Sequence, residues 1–223
     1  MIIAIDGPAG SGKSTTARAV ANAANYAHLD TGAMYRAAGL AIQQKGISVE
    51  DREAERILEN ADIEIAFDSG STAVFLDGID VTDSIRASEV GRIASQVATL
   101  QKLRDRMVDQ QRTIIDRLEK RYGGVVIEGR DIGTVVVPNA DLKFFMTATI
   151  EERARRRMAQ LSDSGASVSM NTIIREIEDR DERDRNREVA PLACAEDALI
   201  LDTTELSMSE QVREIINQIN QIH

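Results

Sequence analysis

The sequence predicts an α/β fold, with a five-stranded parallel sheet flanked by helices and a small antiparallel β insertion. Short apolar runs alternate with segments of helical spacing along most of the chain, which is the pattern of a parallel sheet. Between residues 63 and 81 the apolar residues instead alternate at a period of two, which indicates antiparallel strands. No Pro-, Gly- or Ser-rich linker divides the 223 residues, so we expect a single domain spanning 1–223.

The charge balance and the single cysteine limit the classes of protein to which the chain can belong. A formal net charge of −10 argues against a nucleic-acid partner, which requires a basic face, whereas a small anionic ligand needs only a local basic pocket. Cys194 cannot form an internal disulfide and lies in an apolar stretch, which predicts a small core residue in a reduced compartment.

The first strand begins at residue 2 and no apolar run reaches about 18 residues, so we expect a cytoplasmic protein with no membrane partner. No feature marks a symmetric interface, and we expect a monomer.

The first apolar run, residues 2–5, leads directly into the sequence GPAGSGKS, residues 7–14. This is the GxxxxGK[ST] pattern of a phosphate-binding loop, or P-loop, and the Ala-rich segment after it completes the required order of strand, loop and helix. Lys13 is predicted to reach the outer phosphates of a nucleoside triphosphate, and the Ser14 hydroxyl to complete a magnesium shell. The alternative, a glycine-rich turn with a solvated lysine, is disfavoured because all three parts of the pattern fit. The predicted nucleotide-binding residues are Gly7, Pro8, Ala9, Gly10, Ser11, Gly12, Lys13, Ser14 and Thr15.

A short second strand at residues 28–29 ends in Asp30-Thr31-Gly32, and Thr31 is the predicted N-cap of a helix that continues to Gly46. Arg36 lies near the start of this helix, where the positive end of the macrodipole disfavours a cation. A bound anion would account for an arginine at this place. A solvated surface arginine is the alternative.

The β insertion lies between two helical segments. Residues 51–60 have the spacing of a short amphipathic helix. The alternating residues after it predict a meander with turns at Asp68-Ser69-Gly70 and Asp77-Gly78. A hairpin unit of this kind inside an α/β chain tends to carry substrate contacts. A long helical stretch at 87–121, broken near Leu100, then returns the chain to the core.

A buried strand at residues 125–127 leads into Glu128-Gly129-Arg130-Asp131. An open α/β sheet places its ligand groups at the carboxyl ends of its strands, so Arg130 and Asp131 are candidates for ligand contacts. Glu128 is a candidate for the acidic group that orders magnesium or its waters. The alternative is a salt bridge within this loop, between Arg130 and a neighbouring acid.

Two charged helices follow, and all of their basic residues are arginines. The first starts near residue 150, a flexible polar loop is predicted at 162–169, and the second covers 173–187. The planar fork of arginine binds phosphate bidentately, so this segment is predicted to be a lid that closes over polyphosphate. The alternative is a solvated arm held by salt bridges, because the segment contains equally many acids. The remaining predicted elements are buried strands at 142–146 and 198–201 and an amphipathic helix at 209–222.

Four blocks occur in order along the chain. They are the P-loop, Asp-Thr-Gly-Ala-Met-Tyr-Arg at 30–36, Gly-Arg-Asp-Ile-Gly-Thr at 129–134 and the arginine-rich segment 180–187. Together they resemble bacterial cytidylate kinases, which are P-loop nucleoside monophosphate kinases, over essentially the whole chain. The resemblance implies a P-loop kinase core with a substrate-binding insertion at about 37–104 and a helical lid at about 154–187. It also implies transfer of the γ-phosphoryl group of ATP to CMP or dCMP, with Mg²⁺, giving ADP and the nucleoside diphosphate.

The resemblance further implies roles for individual residues. The catalytic residues would be Lys13 and the lid arginines Arg155, Arg156 and Arg157, with Ser14 at the metal. The acceptor phosphate would be held by Thr31, Arg36, Arg130 and Arg187. The cytosine contacts would be Ser95, Arg104 and Asp131, and the sugar contacts Arg180 and Asp184. The chain carries Thr31 where many relatives have serine, Ser14 where some have glycine and Glu128 where some have aspartate.

Two other functions have to be distinguished from this one. Another small-molecule P-loop kinase would act on AMP, UMP, dTMP or a sugar acid, but the β insertion and the set of Ser95, Arg104 and Asp131 weigh against it. A nucleotide-gated switch protein would carry a guanine-reading motif such as NKxD, which the sequence lacks. Release of ADP that depends on CMP would separate a kinase from a switch.

Overall fold

The structure, a computed structural model, describes residues 1–68, 71–163 and 168–222. Its strands are β1 (Ile2–Asp6), β2 (Ala27–Asp30), β3 (Ile63–Asp68), β4 (Ser71–Leu76), β5 (Ile79–Asp80), β6 (Val125–Gly129), β7 (Leu142–Thr147) and β8 (Leu199–Asp202). Its helices are α1 (Lys13–Ala24), α2 (Thr31–Lys45), α3 (Arg52–Asn60), α4 (Ser88–Val97), α5 (Gln101–Tyr122), α6 (Ile150–Asp163), α7 (Met170–Asn186) and α8 (Met208–Ile222).

Five strands form a parallel sheet in the order β2-β6-β1-β7-β8, which confirms the predicted fold class. The side chains of the central strand β1 alternate between the two faces of the sheet. Ile3 and Ile5 pack with α1 and α8 in one hydrophobic cluster, whereas Ala4 packs with α2 and α5 in the other. All three are fully buried, because helices cover both faces of the sheet at its centre.

The last strand of the sheet is less buried than the sequence predicts. Leu199 and Ile200 of β8 are 43% and 70% exposed, so the prediction of a buried strand at 198–201 is wrong. The physical reason is the position of β8, which lies at the edge of the sheet and pairs with β7. An apolar sequence indicates a strand, but the strand order decides whether neighbours cover both of its faces.

The helix after β2 begins with a different cap from the predicted one. Asp30, and not Thr31, is the N-cap of α2, because its Oδ1 accepts a hydrogen bond from the backbone N–H of Ala33 at 3.1 Å. Thr31 is the first residue of the helix, and its hydroxyl instead donates to the backbone oxygen of Glu128 at 2.7 Å. Gly46 ends α2 in a left-handed conformation, as predicted.

The predicted β insertion is an antiparallel sheet of three strands in the order β3-β4-β5. The turn at Asp77-Gly78 has positive φ angles of 52° and 77°, which suits a two-residue hairpin. In the other predicted turn, Asp68-Ser69-Gly70, residues 69 and 70 lie outside the described residues. Inward-facing residues of this sheet share a hydrophobic cluster with α2, so the insertion is packed onto the main core.

The long helical stretch is divided as predicted, because α4 ends at Val97 and α5 starts at Gln101. The two charged helices also form, as α6 and α7, and they share a small apolar cluster of their own that includes Ala154, Ile173 and Ile177. The predicted flexible loop at 162–169 falls partly outside the described residues, since 164–167 are not among them.

Cys194 is exposed, so the prediction of a core residue is wrong. It lies in an irregular segment that leads to the edge strand β8, where the neighbouring Leu192 is buried instead. The apolar composition of this segment therefore does not mark a part of the core. Within the described ranges, no helix has the length and the apolar character needed to cross a membrane.

Candidate active site

Most of the predicted site residues gather at one edge of the main sheet. The P-loop follows β1, Asp30 ends β2 and Thr31 follows it, and Arg130 and Asp131 follow β6. These three strands are neighbours and run in parallel, so their carboxyl ends meet. The order of strands thereby brings together three blocks that are far apart in the sequence.

The P-loop is held in a conformation that only glycine fits at its first position. Gly7 has a φ of 146°, and a Cβ atom there would lie 2.0 Å from the backbone oxygen of Met146 in β7. Lys13 is buried, and its Nζ donates hydrogen bonds to the backbone oxygen of Pro8 at 2.6 Å and to Ser11 Oγ at 3.3 Å. The loop thus curls around the lysine ammonium, with the helix α1 starting directly behind it.

Ser14 and Glu128 form an oxygen-rich pair beside the P-loop. Ser14 Oγ donates to Glu128 Oε2 at 2.5 Å, and Glu128 Oε1 lies 3.0 Å from His28 Nε2 on β2. Hydroxyl and carboxylate oxygens are ligands that Mg²⁺ prefers, and nucleotide-bound Mg²⁺ takes few ligands from the protein, so this pair fits the ion. No group of three or more His, Cys, Asp or Glu that could hold a metal occurs in the described part of the chain. The sequence predicted Ser14 and Glu128 but not His28.

A cluster of cations surrounds Lys13. Burial lowers the pKa of the Lys13 ammonium well below its usual value, and the charges of Arg130 and Arg180 lower it further. Burial and the charge of Arg130 also lower the pKa of Arg180 to about 10, with further contributions from Arg36 and Arg157. So many cations repel one another in a buried site unless anions accompany them. The cluster therefore suits a ligand with several negative charges, such as a polyphosphate.

Two of these arginines carry buried nitrogen atoms that lack protein partners. The Nε atoms of Arg36 and Arg180 have no hydrogen-bond partner among the described residues. Arg36 also pairs with Asp30, and its Nη2 donates to the carboxylate there. An unsatisfied buried donor is unfavourable, so both atoms are available to an anionic ligand.

Arg130 and Asp131 do not pair with each other within their loop. Arg130 Nε donates to Asp184 Oδ2 on α7 at 2.8 Å, and Asp131 pairs with Arg104 on α5 and with Arg187 Nη2 at 3.4 Å. The alternative of a local salt bridge is therefore wrong, because both residues reach other elements. Five residues predicted to contact a nucleotide substrate lie in two ion-paired groups, one of Arg104, Asp131 and Arg187 and one of Arg130 and Asp184, which are joined along the chain because Arg130 precedes Asp131.

The predicted base contacts are brought together only in part. The Arg104 guanidinium is 5.7 Å from the centre of the Tyr35 ring, which places an aromatic face beside the Arg104–Asp131 pair. Ser95 is buried, but its hydroxyl accepts a hydrogen bond of 3.4 Å from Nε of Arg183 on α7. Neither Tyr35 nor Arg183 was predicted as a site residue. Both lie in the predicted motifs, since Tyr35 is next to Arg36 and Arg183 is between Arg180 and Arg187.

The three lid arginines predicted to be catalytic have different surroundings. Arg155 is exposed and pairs with Glu152, and Arg157 donates to Ser88 Oγ at 3.0 Å. Arg156 alone of the three contacts the P-loop, through a hydrogen bond of 3.2 Å to the backbone oxygen of Ser11. Arg153, which the prediction left out, also contacts the P-loop, since its Nη1 donates to the Ala9 oxygen at 3.2 Å.

Asp6 is a further buried carboxylate at the site, and it was not predicted from the sequence. It is the last residue of β1, directly before the P-loop, and it is 5% exposed. Its two oxygens accept hydrogen bonds from the backbone N–H groups of Ile132 and Gly133, at 2.9 and 2.8 Å. Burial raises its pKa to about 6.

Known proteins resemble the chain in fold and in sequence. A solved structure of an uncharacterized protein from Eubacterium ventriosum has a similar fold, with a TM-score of 0.55 over 99% of this chain and 98% of that chain, at 14% identity. A curated cytidylate kinase from Salinibacter ruber is 45% identical over 98% of this chain and 96% of its own length. Another, from Caldicellulosiruptor bescii, is 46% identical over 96% of this chain and 93% of its own length. The family model described as cytidylate kinase matches residues 3–221, and the chain therefore belongs to the cytidylate kinase family.

Proposed function

We propose that this protein transfers the γ-phosphoryl group of ATP to CMP or dCMP, forming ADP and CDP or dCDP. The observation that carries the proposal is the buried pair of Arg104 and Asp131, which adjoins the cation cluster around Lys13 through Arg130. A pocket that combines a base-reading carboxylate with several cations suits a nucleoside monophosphate beside a triphosphate. The curated names of the relatives support the same substrate.

The cation cluster performs the electrostatic part of the transfer. The transferring phosphoryl group spreads negative charge over its oxygens, and catalysis consists of positioning and of stabilising that charge. Lys13 of the P-loop and the lid arginines contact this group and stabilise its negative charge. Arg156 is the best placed of the three predicted lid arginines, because it already contacts the P-loop. The acceptor phosphate is held by Thr31, Arg36, Arg130 and Arg187.

The Arg104–Asp131 pair selects the base. Cytosine presents an amino group at C4, and an ionised carboxylate such as that of Asp131 accepts a hydrogen bond from it. Uracil presents a carbonyl oxygen at the same place, which the carboxylate repels. Arg104 and the Ser95 hydroxyl supply donors for the C2 carbonyl oxygen and the ring nitrogen N3 of cytosine. Arg180 and Asp184 contact the sugar.

Ser14 and Glu128 hold the Mg²⁺ that accompanies ATP, since their oxygens lie 2.5 Å apart beside the P-loop. When bound, this ion neutralises charge on the phosphate oxygens of ATP. Two neighbouring residues hold Glu128 in place. His28 Nε2 lies beside the second oxygen of the Glu128 carboxylate, and the Thr31 hydroxyl donates a hydrogen bond to the backbone oxygen of Glu128.

The helices α6 and α7 act as a lid over both substrates. Arg153 and Arg156 contact the P-loop side of the site, whereas Asp184 and Arg187 contact the side of Arg130 and Asp131. The insertion at about 37–104 contributes Ser95 and Arg104 to the acceptor side. We further propose that the protein works as a monomer in the cytoplasm, because no feature of the sequence marks a symmetric interface and the single cysteine suits a reduced compartment.

A coupled assay of ADP release against a panel of monophosphates tests the function. CMP and dCMP should support turnover far better than UMP, AMP or dTMP. Equal turnover with AMP or UMP would indicate a kinase of different specificity. Slow ADP release that CMP does not accelerate would instead indicate a nucleotide-gated switch.

A further inference from the structure

Asp6 joins two parts of the site that are 126 residues apart in the sequence. In the parallel ladder between β1 and β6, Asp6 lies opposite Gly129, where the backbone pairing of the two strands ends. Its carboxylate extends the connection beyond the ladder, to the N–H groups of Ile132 and Gly133. The first of these two residues directly follows Asp131. A single side chain thus links the start of the P-loop to the loop that carries the base-reading carboxylate.

The two N–H groups need a partner from outside their own segment. Residues Ile132–Val136 form a single π-helical turn, in which the N–H groups of Val135 and Val136 bond to the Asp131 oxygen. The first N–H groups of a helical turn have no partner within the turn. Asp6 satisfies two of them, as a capping side chain does, but from a neighbouring strand. The two bonds meet the turn at its first two residues, directly after Asp131.

A carboxylate is the side chain that this arrangement requires. Ionised Asp presents two acceptor oxygens and no donor, whereas Asn presents one acceptor and one NH₂ donor. The charged groups around Asp6 are Lys13 on α1, Asp131 in the facing loop, Lys143 on β7 near Gly133, and the thiol of Cys194. Lys143 is occupied, since its Nζ bonds to both oxygens of Asp197. Burying a carboxylate is unfavourable unless such hydrogen bonds compensate.

We infer that Asp6 is a positioning residue for base selection, which holds the Asp131 loop in register with the P-loop. The inference rests on the proposed function, because it assumes that Asp131 reads cytosine. Asp6 itself does not contact the substrate in this account. Its effect on catalysis passes through the backbone of Ile132 and Gly133 to the Asp131 carboxylate, which must meet Arg104 and the base.

The test is Asp6→Asn, with Asp141→Asn as the matched control. Asp141 also accepts a backbone hydrogen bond at β1, but at the opposite end of the strand, from Ile2 N–H at 2.6 Å. In Asp6→Asn, one of the two N–H groups faces an NH₂ group and loses its partner. The dissociation constant of CMP should rise at least about tenfold. The preference for CMP over UMP in kcat/KM should fall by a similar factor. A tenfold change corresponds to about 1.4 kcal/mol, which is the size of one lost buried hydrogen bond. The dissociation constant of ATP with Mg²⁺, measured without CMP, should stay near the wild-type value, and Asp141→Asn should change neither.

Unchanged CMP affinity and base preference in a folded Asp6→Asn variant would overturn the inference. Equal weakening of ATP and CMP binding with an intact preference would also overturn it, because that result indicates a general structural role.

If Asp6→Asn does not fold, Gly133→Ala provides a second variant. Its Cβ would lie 3.1 Å from Lys143 Cδ, so either the Gly133 backbone or the Lys143 side chain has to shift beside the Asp6 contact, while Asp6 keeps its charge. It should show the same selective loss of CMP preference, and an unchanged preference would overturn the inference. A wild-type enzyme without any preference for CMP would instead contradict the proposed function.

Discussion

Lys13 combines burial with a position inside a cluster of arginines, and its ammonium bonds to the P-loop itself. We predict that Lys13→Ala lowers kcat by about 10² to 10³, the usual effect of removing one preorganised charge contact from a transition state. Steady-state kinetics at saturating ATP and CMP measure this loss, with circular dichroism to show that the variant is folded. Lys102→Ala is the matched control, because Lys102 is an exposed lysine that pairs with Glu55 and Glu59. Near-normal turnover of Lys13→Ala would remove the P-loop lysine from the mechanism.

Asp131 should decide the choice of base. In Asp131→Asn, the side chain keeps its shape and one acceptor but gains an NH₂ group that can donate to the C4 oxygen of uracil. We expect the ratio of kcat/KM for CMP to that for UMP to fall by about 10- to 100-fold, the usual discrimination of a specific contact with a base edge. Asp80→Asn, which neutralises an exposed carboxylate that accepts hydrogen bonds from Thr82, should leave the ratio unchanged. Equal losses for CMP and UMP would mean that Asp131 acts only as a partner of Arg104 and Arg187.

The raised pKa of Asp6 predicts a specific pH dependence of stability. Burial raises this pKa from 3.8 to about 6, so the folded protein holds the proton more tightly than the unfolded chain does. The contribution of this group to stability is therefore complete below about pH 4 and is lost as the pH rises through about 6. The free energy of unfolding of the wild type, minus that of Asp6→Asn, should fall by about 2 kcal/mol between pH 4.5 and 7.5. Urea unfolding at both pH values measures the difference, and parallel pH profiles would contradict the prediction.

The sequence allowed some of these residues to be predicted and not others, for a physical reason. Lys13 and Ser14 belong to a motif whose function depends on local spacing, so the sequence alone identifies them. Asp6 and His28 act through partners that lie 126 and 100 residues away. Such contacts depend on the order of strands in the sheet, which local patterns do not contain.

Among the elements, the lid helices α6 and α7 should respond most to ligands. We predict that hydrogen exchange between residues 153 and 187 slows clearly when CMP and a non-hydrolysable ATP analogue are added together. The reason is that the arginines of this segment gain bidentate phosphate partners when the ligands bind. Without ligands, few apolar contacts hold the segment in place. The core helix α8, with Ile215 and Ile219 buried, is the internal control and should keep its protection. Equal protection of the lid with and without ligands would indicate a rigid structural arm.

Element boundaries were predictable wherever a local signal defines them. Gly46 and the break near Leu100 were located from the sequence, because a helix terminus depends on its own residues. The cap of α2 was misplaced by one residue, since Asp30 and Thr31 both suit the position and only the contact with Ala33 decides between them. The exposure of β8 was missed because it depends on the rest of the sheet.

For the molecule as a whole, the two substrates should stabilise the fold together more than separately. A single ligand at 100 times its dissociation constant adds about 2.7 kcal/mol, which for a chain of this length raises Tm by roughly 5 to 10 °C. The helices α6 and α7 contact both the P-loop and the Arg130–Asp131 loop, so if they act as the proposed lid, both ligands favour the same arrangement. The Tm shift with CMP and an ATP analogue together should therefore exceed the sum of the separate shifts, as differential scanning fluorimetry can measure. UMP in place of CMP is the control, and strictly additive shifts with CMP would mean that the lid does not couple the two sites.

The separate apolar cluster of α6 and α7 has a consequence for how such an enzyme adapts. The β insertion shares its core with α2, so a substitution there affects the whole domain, whereas Ala154, Ile173 and Ile177 pack within the lid. If α6 and α7 open and close as the proposed lid, substitutions in this cluster change the rate of opening without weakening the main sheet. A cold-living or heat-loving descendant would then alter product release at these three positions and keep the P-loop and the Asp131 loop as they are.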